Sequence, residues 1–252
     1  MHTLSEGTFA GKRVLVRADF NVPYDAELNI TDDTRIRKTL PTLRYLLEQE
    51  APLVLCSHLG RPKNGPEPKY SLEPVALRLG QLLDKEVVFV PETVGEQARA
   101  ATNQMQPGDI VLLENLRYES GETKNDATLS QHLAELADVY VNDAFGSAHR
   151  AHASTEGVAH HFDEKYAGLL LEAEVVNAER VLTHGEAPFV AIIGGAKVSD
   201  KLAVLQRLLP RVDTLVIGGG MAYTFLKAQG KPIGASLCED DRLADAQQVL
   251  DE

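Results

Sequence analysis

The feature that most constrains the fold is a regular alternation of short apolar runs with amphipathic segments along the whole chain. Each run is too short for a helix and is apolar on both faces, as a parallel strand covered by helices requires. Strand–helix–strand alternation predicts an α/β fold with a mainly parallel sheet. The predicted strands are Val14–Arg17, Leu53–Ser57, Val87–Val90, Ile110–Leu113, Val139–Val141, Val190–Ile193 and Thr214–Ile217.

The amphipathic segments between these runs predict helices. Ser71 is expected to cap one of them, and Asp126–Ala137 and Ser199–Leu209 have the same apolar spacing. The segment Ala167–Thr183 is longer and has no internal breaker, and residues 184–188 (HGEAP) are expected to stop it.

This long helix predicts a boundary between two domains. We expect a first domain at residues 1–170, a connecting helix at residues 171–186 and a partial second domain at residues 187–252. The first domain is long enough to bury its own core. After Thr183 only two clear strands follow, and the chain reaches Glu252 inside a helical pattern, so the second domain is expected to be incomplete.

Composition excludes several classes of protein. The 252 residues include 25 Lys and Arg against 37 Asp and Glu, a formal charge of −12, which neither nucleic acid nor an anionic membrane would attract. No run approaches the roughly 18 apolar residues of a membrane span, and the amino terminus lacks the apolar core of a signal peptide. The two cysteines form no motif, and Cys56 is expected to be a buried small hydrophobe. We therefore expect a cytoplasmic protein that binds neither nucleic acid nor membrane.

Polar and basic side chains follow several predicted strands at the point where each strand ends. Ligands of open α/β sheets bind outside the carboxyl ends of the strands, so these side chains are candidates for a binding site. Arg35 and Arg37, in the segment Asp32–Lys38, are expected to join them from a neighbouring loop. The side chains that follow the strands themselves are Asp19, Asn21, His58, Arg61, Arg117, His149 and Arg150.

Several guanidinium groups at one edge of an acidic protein indicate an anionic ligand. Like charges about 4 Å apart repel by roughly 4 kcal/mol at an effective dielectric constant of 20. Arginine also binds phosphate or carboxylate through two parallel hydrogen bonds. The alternative is that each arginine pairs with a surface carboxylate, and that Asp19 and Asn21 only form an Asx turn.

The second domain opens with two glycine-rich turns. Gly194 and Gly195 follow its first strand, and Gly218, Gly219 and Gly220 follow its second. Such strand-to-helix turns allow backbone amides to approach phosphate closely. Lys197 and Lys201 add positive charge. The alternative is that each is a plain tight turn that binds no ligand. Neither turn matches the sequence of a P-loop or of a dinucleotide-binding fingerprint. The two turns together with the lysines favour a nucleotide or a polyphosphate.

A metal site built from histidines is not favoured. The pairs His149 and His152, and His160 and His161, have no cysteine or carboxylate at the spacing of a zinc site. We therefore expect this chain to hold no metal through its own side chains.

Six motifs in order along the chain resemble the phosphoglycerate kinase family: RADFNVP, SHLGRP, LENLRY, NDAFGSAHR, IIGGAKVSDK and IGGGMAYTF. The resemblance runs over essentially the whole chain. It implies two Rossmann-like parallel-sheet domains joined by a helix, the second incomplete in this chain. It also implies a glycolytic phosphotransferase that exchanges a phosphoryl group between 1,3-bisphosphoglycerate and Mg-ADP, giving 3-phosphoglycerate and ATP. The magnesium ion would accompany the nucleotide, and a monomer is expected.

The resemblance also implies roles for single residues. The phosphoglycerate-binding positions fall on Asp19, Asn21, Arg35, His58, Arg61, Arg117, His149 and Arg150. The nucleotide-binding positions fall on Gly195, Lys197, Lys201, Gly219 and Gly220. Arg35 and Lys197 would contact the transferred phosphoryl group, whereas Arg17 and Arg37 receive no certain role.

Two alternatives to the kinase remain open at this stage. The chain could be an inactive, truncated module that only binds phosphoglycerate. It could also be another sugar-phosphate enzyme of similar build, in which the arginine edge binds a different acid. Turnover separates the first alternative from the kinase, and substrate competition separates the second.

Overall fold

The computed structural model describes residues 1–63, 65–183 and 187–252. These residues divide into two compact units, Met1–Val175 and Val176–Glu252. The division falls inside one helix, Leu169–Thr183, whereas residues 184–186 of the expected helix stop lie outside the described part of the chain. Within the described residues, no helix combines the length and the apolar character that crossing a bilayer would need.

The first unit is built on a six-stranded parallel sheet with the strand order β3-β4-β2-β1-β5-β6. Its strands are β1 (Val14–Arg17), β2 (Leu53–Cys56), β3 (Val88–Val90), β4 (Ile110–Leu113), β5 (Val139–Asn142) and β6 (Lys165–Ala167). Its helices are α1 (Thr34–Glu48), α2 (Glu73–Leu83), α3 (Glu96–Asn103), α4 (Ala127–Ala134), α5 (Phe145–Ala148) and the start of α6 (Leu169–Thr183). Short 3₁₀ turns are found at Leu4–Glu6, Pro68–Tyr70, Leu116–Tyr118, Glu122–Lys124 and Val158–His161, and a π turn at Ala153–Gly157.

Apolar side chains on the two faces of this sheet form two separate cores. Val14, Val16 and Leu55 pack on one face, and Leu15 and Val54 pack on the other. Because all four residues of β1, β2 and β4 are buried, these strands need the helical cover that their sequences predict.

The second unit contains a two-stranded parallel sheet, β7 (Val190–Gly194) and β8 (Thr214–Gly218). It also contains α7 (Leu202–Leu208), α8 (Ala222–Ala228) and α9 (Leu243–Asp251), with 3₁₀ turns at Leu209–Arg211 and Asp240–Arg242. Ile193, Leu215 and Ile217 pack against a small core that includes Leu205 and Phe225.

All seven predicted strands are confirmed to within one residue at either end, but the expectation that every strand is covered on both faces is wrong. Ile192 on β7 is 75% exposed, Val190 and Val216 are also exposed, and Val88 on β3 is half exposed. Along β7 and β8 the exposed residues alternate with the packed ones, so one face of that sheet is apolar and open. This open face agrees with a second domain that is only partly present.

The segment that contains Arg35 and Arg37 is not a loop, as the sequence suggested, but the first turn of α1. Pro41 lies inside this helix, where it lacks the amide hydrogen that a helical residue normally donates. The helix persists because Ile36, Leu43 and Leu46 are fully buried on one face and anchor it to the core.

Four other predicted helix boundaries are also wrong. Helix α7 begins at Leu202 instead of Ser199, and α4 ends at Ala134 instead of Ala137, with Asp126 capping its first turn through Leu129 N. Ser71 does not occupy the cap of α2, although its hydroxyl accepts a hydrogen bond from Glu73 N and donates one to Glu114. Helix α6 starts at Leu169, because the chain before it forms β6 beside β5.

Buried side chains from two other elements cap the start of α6. Thr42 on α1 accepts a hydrogen bond from Leu169 N at 2.9 Å, and Asp143 Oδ1 accepts from Leu170 N at 2.9 Å and from Leu171 N at 3.2 Å. Burial raises the pKa of Asp143 to about 6, although these hydrogen bonds favour its ionised form. The first backbone amides of α6 are thus held by the core of the first unit.

Replacing Asp143 should therefore destabilise the first unit. Asp143→Ala leaves two amides of α6 without their acceptor, and we expect a loss of about 1–3 kcal/mol in the free energy of unfolding. Asp143→Asn is the matched control, because it keeps an oxygen that can accept both hydrogen bonds. Urea titration of both variants provides the measurement, and equal stabilities for the two would contradict the capping role.

Candidate functional site

The loops that carry the predicted binding residues all leave the same edge of the first sheet. Strands β1, β2, β4 and β5 run parallel, so the segments that follow Arg17, Cys56, Leu113 and Asn142 share that edge.

Three arginines from three of these segments line one cavity of about 430 Å³. Arg61 follows β2, Arg117 lies in the 3₁₀ turn after β4, and Arg150 follows α5. Burial lowers the pKa of Arg117, and the charges of Arg17, Arg61 and Arg150 lower it further. The cavity therefore concentrates positive charge and is suited to an anion.

Glu119 also lines this cavity, but its three arginines form no ion pair with a carboxylate within the described residues. Their contacts are of another kind: Arg117 Nη1 donates to the carbonyl of Gly60, and Arg150 Nε donates to His149 Nε2 at 3.3 Å. The alternative that each arginine pairs with an acidic neighbour therefore fails for the described contacts of Arg61, Arg117 and Arg150.

His58 is 8% exposed and is not among the residues that line this cavity. Its Nδ1 is 3.1 Å from Nη2 of Arg17, which is 1% exposed. Burial lowers the pKa of His58 to about 2, and the cations Arg17, Arg117 and Arg35 lower it further. His58 is therefore a neutral ring at physiological pH.

Asp19 and Arg35 form an ion pair beyond the carboxyl end of β1. Arg35 Nη1 donates to Asp19 Oδ2, and the Arg35 side chain remains 52% exposed. Asp19 Oδ1 also accepts from Asn21 N at 3.2 Å, so the Asx turn considered for these two residues is present as well. Asn21 Oδ1 accepts from Gly60 N at 2.8 Å and ties the β1 loop to the β2 loop.

Arg37 does not join this group. Its Nε donates to Asp33 at 2.8 Å, and Asp33 also accepts two hydrogen bonds from Arg78 on α2. These contacts hold the first turn of α1 against α2, which is the turn that carries Arg35. Arg37 therefore has a structural role.

The structure adds residues that sequence reasoning did not place in the site. Glu119, Ser120, Thr123 and His152 also line the arginine cavity. They belong to the same segments after β4 and β5 as Arg117 and Arg150, so the order of the strands could have pointed to them. His152 was considered only as a metal ligand.

In the second unit the two glycine-rich turns pack directly against each other. Gly219 has a φ of +70°, and a Cβ there would lie 2.7 Å from the carbonyl oxygen of Gly195. A Cβ at Gly220 would lie 3.1 Å from the carbonyl oxygen of Ala196. Side chains at these two positions would therefore push the turns apart.

Two of the backbone amides that the sequence predicts to be available to a phosphate already donate hydrogen bonds to the carboxylate of Glu239. Glu239 accepts hydrogen bonds from the backbone amides of Val198 and Ser199 and from the Ser199 hydroxyl, at 2.5, 3.1 and 2.6 Å. These contacts explain why α7 begins three residues later than predicted. Lys197 is exposed and Lys201 is half-buried beside the same turn, and Lys197 helps to lower the pKa of Glu239.

The described residues contain no cluster of three or more His, Cys, Asp or Glu side chains that could hold a metal ion. Cys56 is fully buried, as predicted, and burial raises the pKa of its thiol to about 12. The buried Cys56 thiol is therefore protonated at neutral pH and is not a nucleophile.

A parallel α/β sheet with an arginine-lined cavity at the carboxyl ends of its strands defines an α/β protein with a cavity suited to a small anion. The sequence model of the family described as phosphoglycerate kinase matches residues 4–252. This chain belongs to the phosphoglycerate kinase family.

Individual relatives agree with this assignment. The chain is 52% identical over 242 residues to a phosphoglycerate kinase of Campylobacter concisus, covering 95% of this chain and 61% of the relative. It is 53% identical over 250 residues to one of Clostridium botulinum, covering 98% and 63%. The solved phosphoglycerate kinase of Coxiella burnetii matches with a TM-score of 0.88 and 43% identity, covering 99% of this chain and 62% of that one. The chain thus spans about three fifths of the length of these relatives.

The arginine cavity should bind inorganic phosphate. We expect phosphate to raise the melting temperature of the first unit, because a ligand at ten times its Kd adds about 1.4 kcal/mol of stability. Arg61→Ala and Arg150→Ala should remove most of this shift, whereas Arg180→Ala, an exposed position on α6, should keep it. Scanning calorimetry against chloride of matched ionic strength measures the effect. An equal shift in all three variants would show that phosphate does not bind in the cavity.

Proposed function

We propose that this chain carries the phosphoglycerate site and part of the nucleotide site of a glycolytic phosphoglycerate kinase. The reaction is the reversible transfer of a phosphoryl group between 1,3-bisphosphoglycerate and Mg-ADP, giving 3-phosphoglycerate and ATP. The observation that carries this proposal is the cavity of Arg61, Arg117 and Arg150 in a chain of this family. We also propose a cytoplasmic, monomeric protein.

On the first unit the three cavity arginines bind the phosphate that is not transferred. Guanidinium groups suit this task, because each can donate two parallel hydrogen bonds to phosphate oxygens. His58 adds a neutral donor, while His149 supports Arg150 through their direct contact. Asp19 and Asn21 bind the glycerate end of the ligand.

On the second unit the paired glycine turns bind the nucleotide. Gly195, Gly219 and Gly220 allow the close backbone approach that a polyphosphate needs, and Lys197 and Lys201 supply charge. We propose that the magnesium ion enters with the nucleotide as part of the substrate.

Phosphoryl transfer asks a protein mainly for positioning and for stabilisation of charge. Arg35 and Lys197 stabilise the oxygens of the group in transit. Asp19 holds the Arg35 guanidinium in place, and the contacts of Asp33 with Arg37 and Arg78 fix the helical turn on which Arg35 stands.

Removing Arg35 should abolish most of the turnover while sparing substrate binding. We expect Arg35→Ala to slow turnover by about 100-fold or more, the usual cost of losing one donor to transition-state charge. Calorimetric affinity for 3-phosphoglycerate and the melting temperature should change little, because this side chain is half exposed.

Arg44→Ala is the matched control for Arg35, since it removes an exposed arginine of the same helix whose side chain contacts the carbonyl of Leu82 instead of the site. Turnover is measured in the protein as expressed from its own gene. Full-rate turnover in Arg35→Ala would refute the catalytic role. Binding of 3-phosphoglycerate by the natural protein without any turnover would instead indicate an inactive phosphoglycerate-binding module.

Lys197→Ala should also reduce the rate more than it reduces nucleotide affinity, because its charge is proposed to act on the transferred group. Lys231→Ala, which removes an exposed lysine of the same unit, is its control. Coupled turnover assays and titration with Mg-ADP measure the two effects separately. A loss of Mg-ADP affinity as large as the loss of rate would assign Lys197 to ground-state binding.

A further inference from the structure

A chain of buried polar groups connects His58 to a carboxylate on the far side of Arg17. Glu122 is 1% exposed and accepts hydrogen bonds from Ser154 N at 3.0 Å and from Ser154 Oγ at 2.7 Å. The Ser154 hydroxyl accepts in turn from Arg17 Nε at 2.9 Å. Arg17 Nη1 donates to the carbonyl of Ala18, and Arg17 Nη2 lies 3.1 Å from His58 Nδ1.

The direction of each hydrogen bond in this chain is fixed by chemistry. A guanidinium has five N–H donors and no acceptor, so Arg17 can only donate to its neighbours. His58 Nδ1 must then be the acceptor of the Arg17 Nη2 hydrogen bond and cannot carry a proton itself. A neutral imidazole carries its single proton on the other nitrogen, here Nε2.

The charges around His58 favour the same protonation state. The groups that shift its titration are Arg17 on β1, Arg117 in the turn after β4, Arg35 on α1 and the neighbouring His152. Burial and these groups all act against a second proton on the ring. An imidazolium at this position would repel the neighbouring guanidiniums.

We propose that Arg17 is a positioning residue that holds His58 in the neutral Nε2–H tautomer, so that the site presents a hydrogen-bond donor of fixed orientation to the ligand. Arg17 does not contact the ligand; it acts through His58. Ser154 and Glu122 hold the guanidinium and partly balance its charge. The statement about the ligand rests on the proposed phosphoglycerate site, whereas the tautomer of His58 does not.

The burial of Arg17 is itself an argument for this role. A fully buried guanidinium is costly unless it is paired and hydrogen-bonded. Here no carboxylate within the described residues contacts Arg17 directly, and the nearest compensation passes through the Ser154 hydroxyl to Glu122. A purely structural position at the end of β1 would be filled at lower cost by an apolar side chain, as at Val14 and Val16.

Nitrogen chemical shifts of the imidazole test the proposal in the protein without ligand. With ¹⁵N-labelled histidine, two-bond correlations distinguish a protonated ring nitrogen from an unprotonated one. We expect an unprotonated Nδ1 and a protonated Nε2 at His58, unchanged from about pH 5.5 to about pH 8. The exposed histidines of the same sample report on the pH response. A protonated Nδ1, or an imidazolium at His58 near pH 6, would overturn the proposal.

The variant Arg17→Lys tests whether the guanidinium is the cause, because it keeps the charge and loses the fork. We expect both tautomers of His58 to appear and affinity for 3-phosphoglycerate to fall about 3- to 10-fold, the worth of one hydrogen bond. The pH profile of binding should stay like that of the natural protein near pH 6.5, because the burial of His58 and the retained positive charge both still oppose a second proton on the ring.

Ser154→Ala provides a second variant should Arg17→Lys fail to fold. It removes the acceptor of Arg17 Nε but leaves the guanidinium in place, so we expect a smaller change of the His58 shifts in the same direction. Unchanged shifts in the folded variants would show that Arg17 does not control the tautomer. Absence of 3-phosphoglycerate binding with the expected tautomer intact would refute the proposed function and leave this inference standing.

Discussion

Several arginines lie at one edge of the parallel sheet of the first unit, and the repulsion among their charges is the main constraint on its candidate site. Because β1, β2, β4 and β5 share one direction, the side chains that follow them meet there. Arg61, Arg117 and Arg150 meet around one cavity, and burial with mutual repulsion lowers the pKa of Arg117. The fold brings these positive charges together, so a phosphate in the cavity would reduce their repulsion. Anion binding should therefore stabilise the fold.

The strand β6 (Lys165–Ala167) was not predicted, because its sequence KYA is not an apolar run. The other strands could be predicted because each is an apolar run of a length that only a strand accommodates. Helix α1 could not, since Pro41 counts locally against a helix, and only the burial of Ile36, Leu43 and Leu46 in the folded core offsets it. The late start of α7 depends on Glu239, which lies about 40 residues along the chain and binds the amides of Val198 and Ser199. Contacts between distant segments are not visible in a local pattern.

The candidate site shows the same division. Strand order was enough to place Arg61, Arg117 and Arg150 at one edge, but not to separate Arg35 from Arg37. Two residues apart on a helix, these side chains point about 200° apart, so one meets Asp19 and the other meets Asp33. His152 was missed because its residue type suggested a metal instead of a cavity wall.

A site of this kind needs donors as much as it needs charge. Every further fixed cation would add to the repulsion in the ligand-free protein, whereas a neutral N–H adds a hydrogen bond without that cost. The exposed guanidiniums of Arg61 and Arg150 can move apart in water when no anion is present, but Arg17 is buried and cannot. Its guanidinium reaches two side chains, Ser154, which holds it, and His58, which we propose that it orients. Exposed arginines at this edge, Arg61 and Arg150, thus supply charge, whereas the buried Arg17 orients a neighbouring side chain.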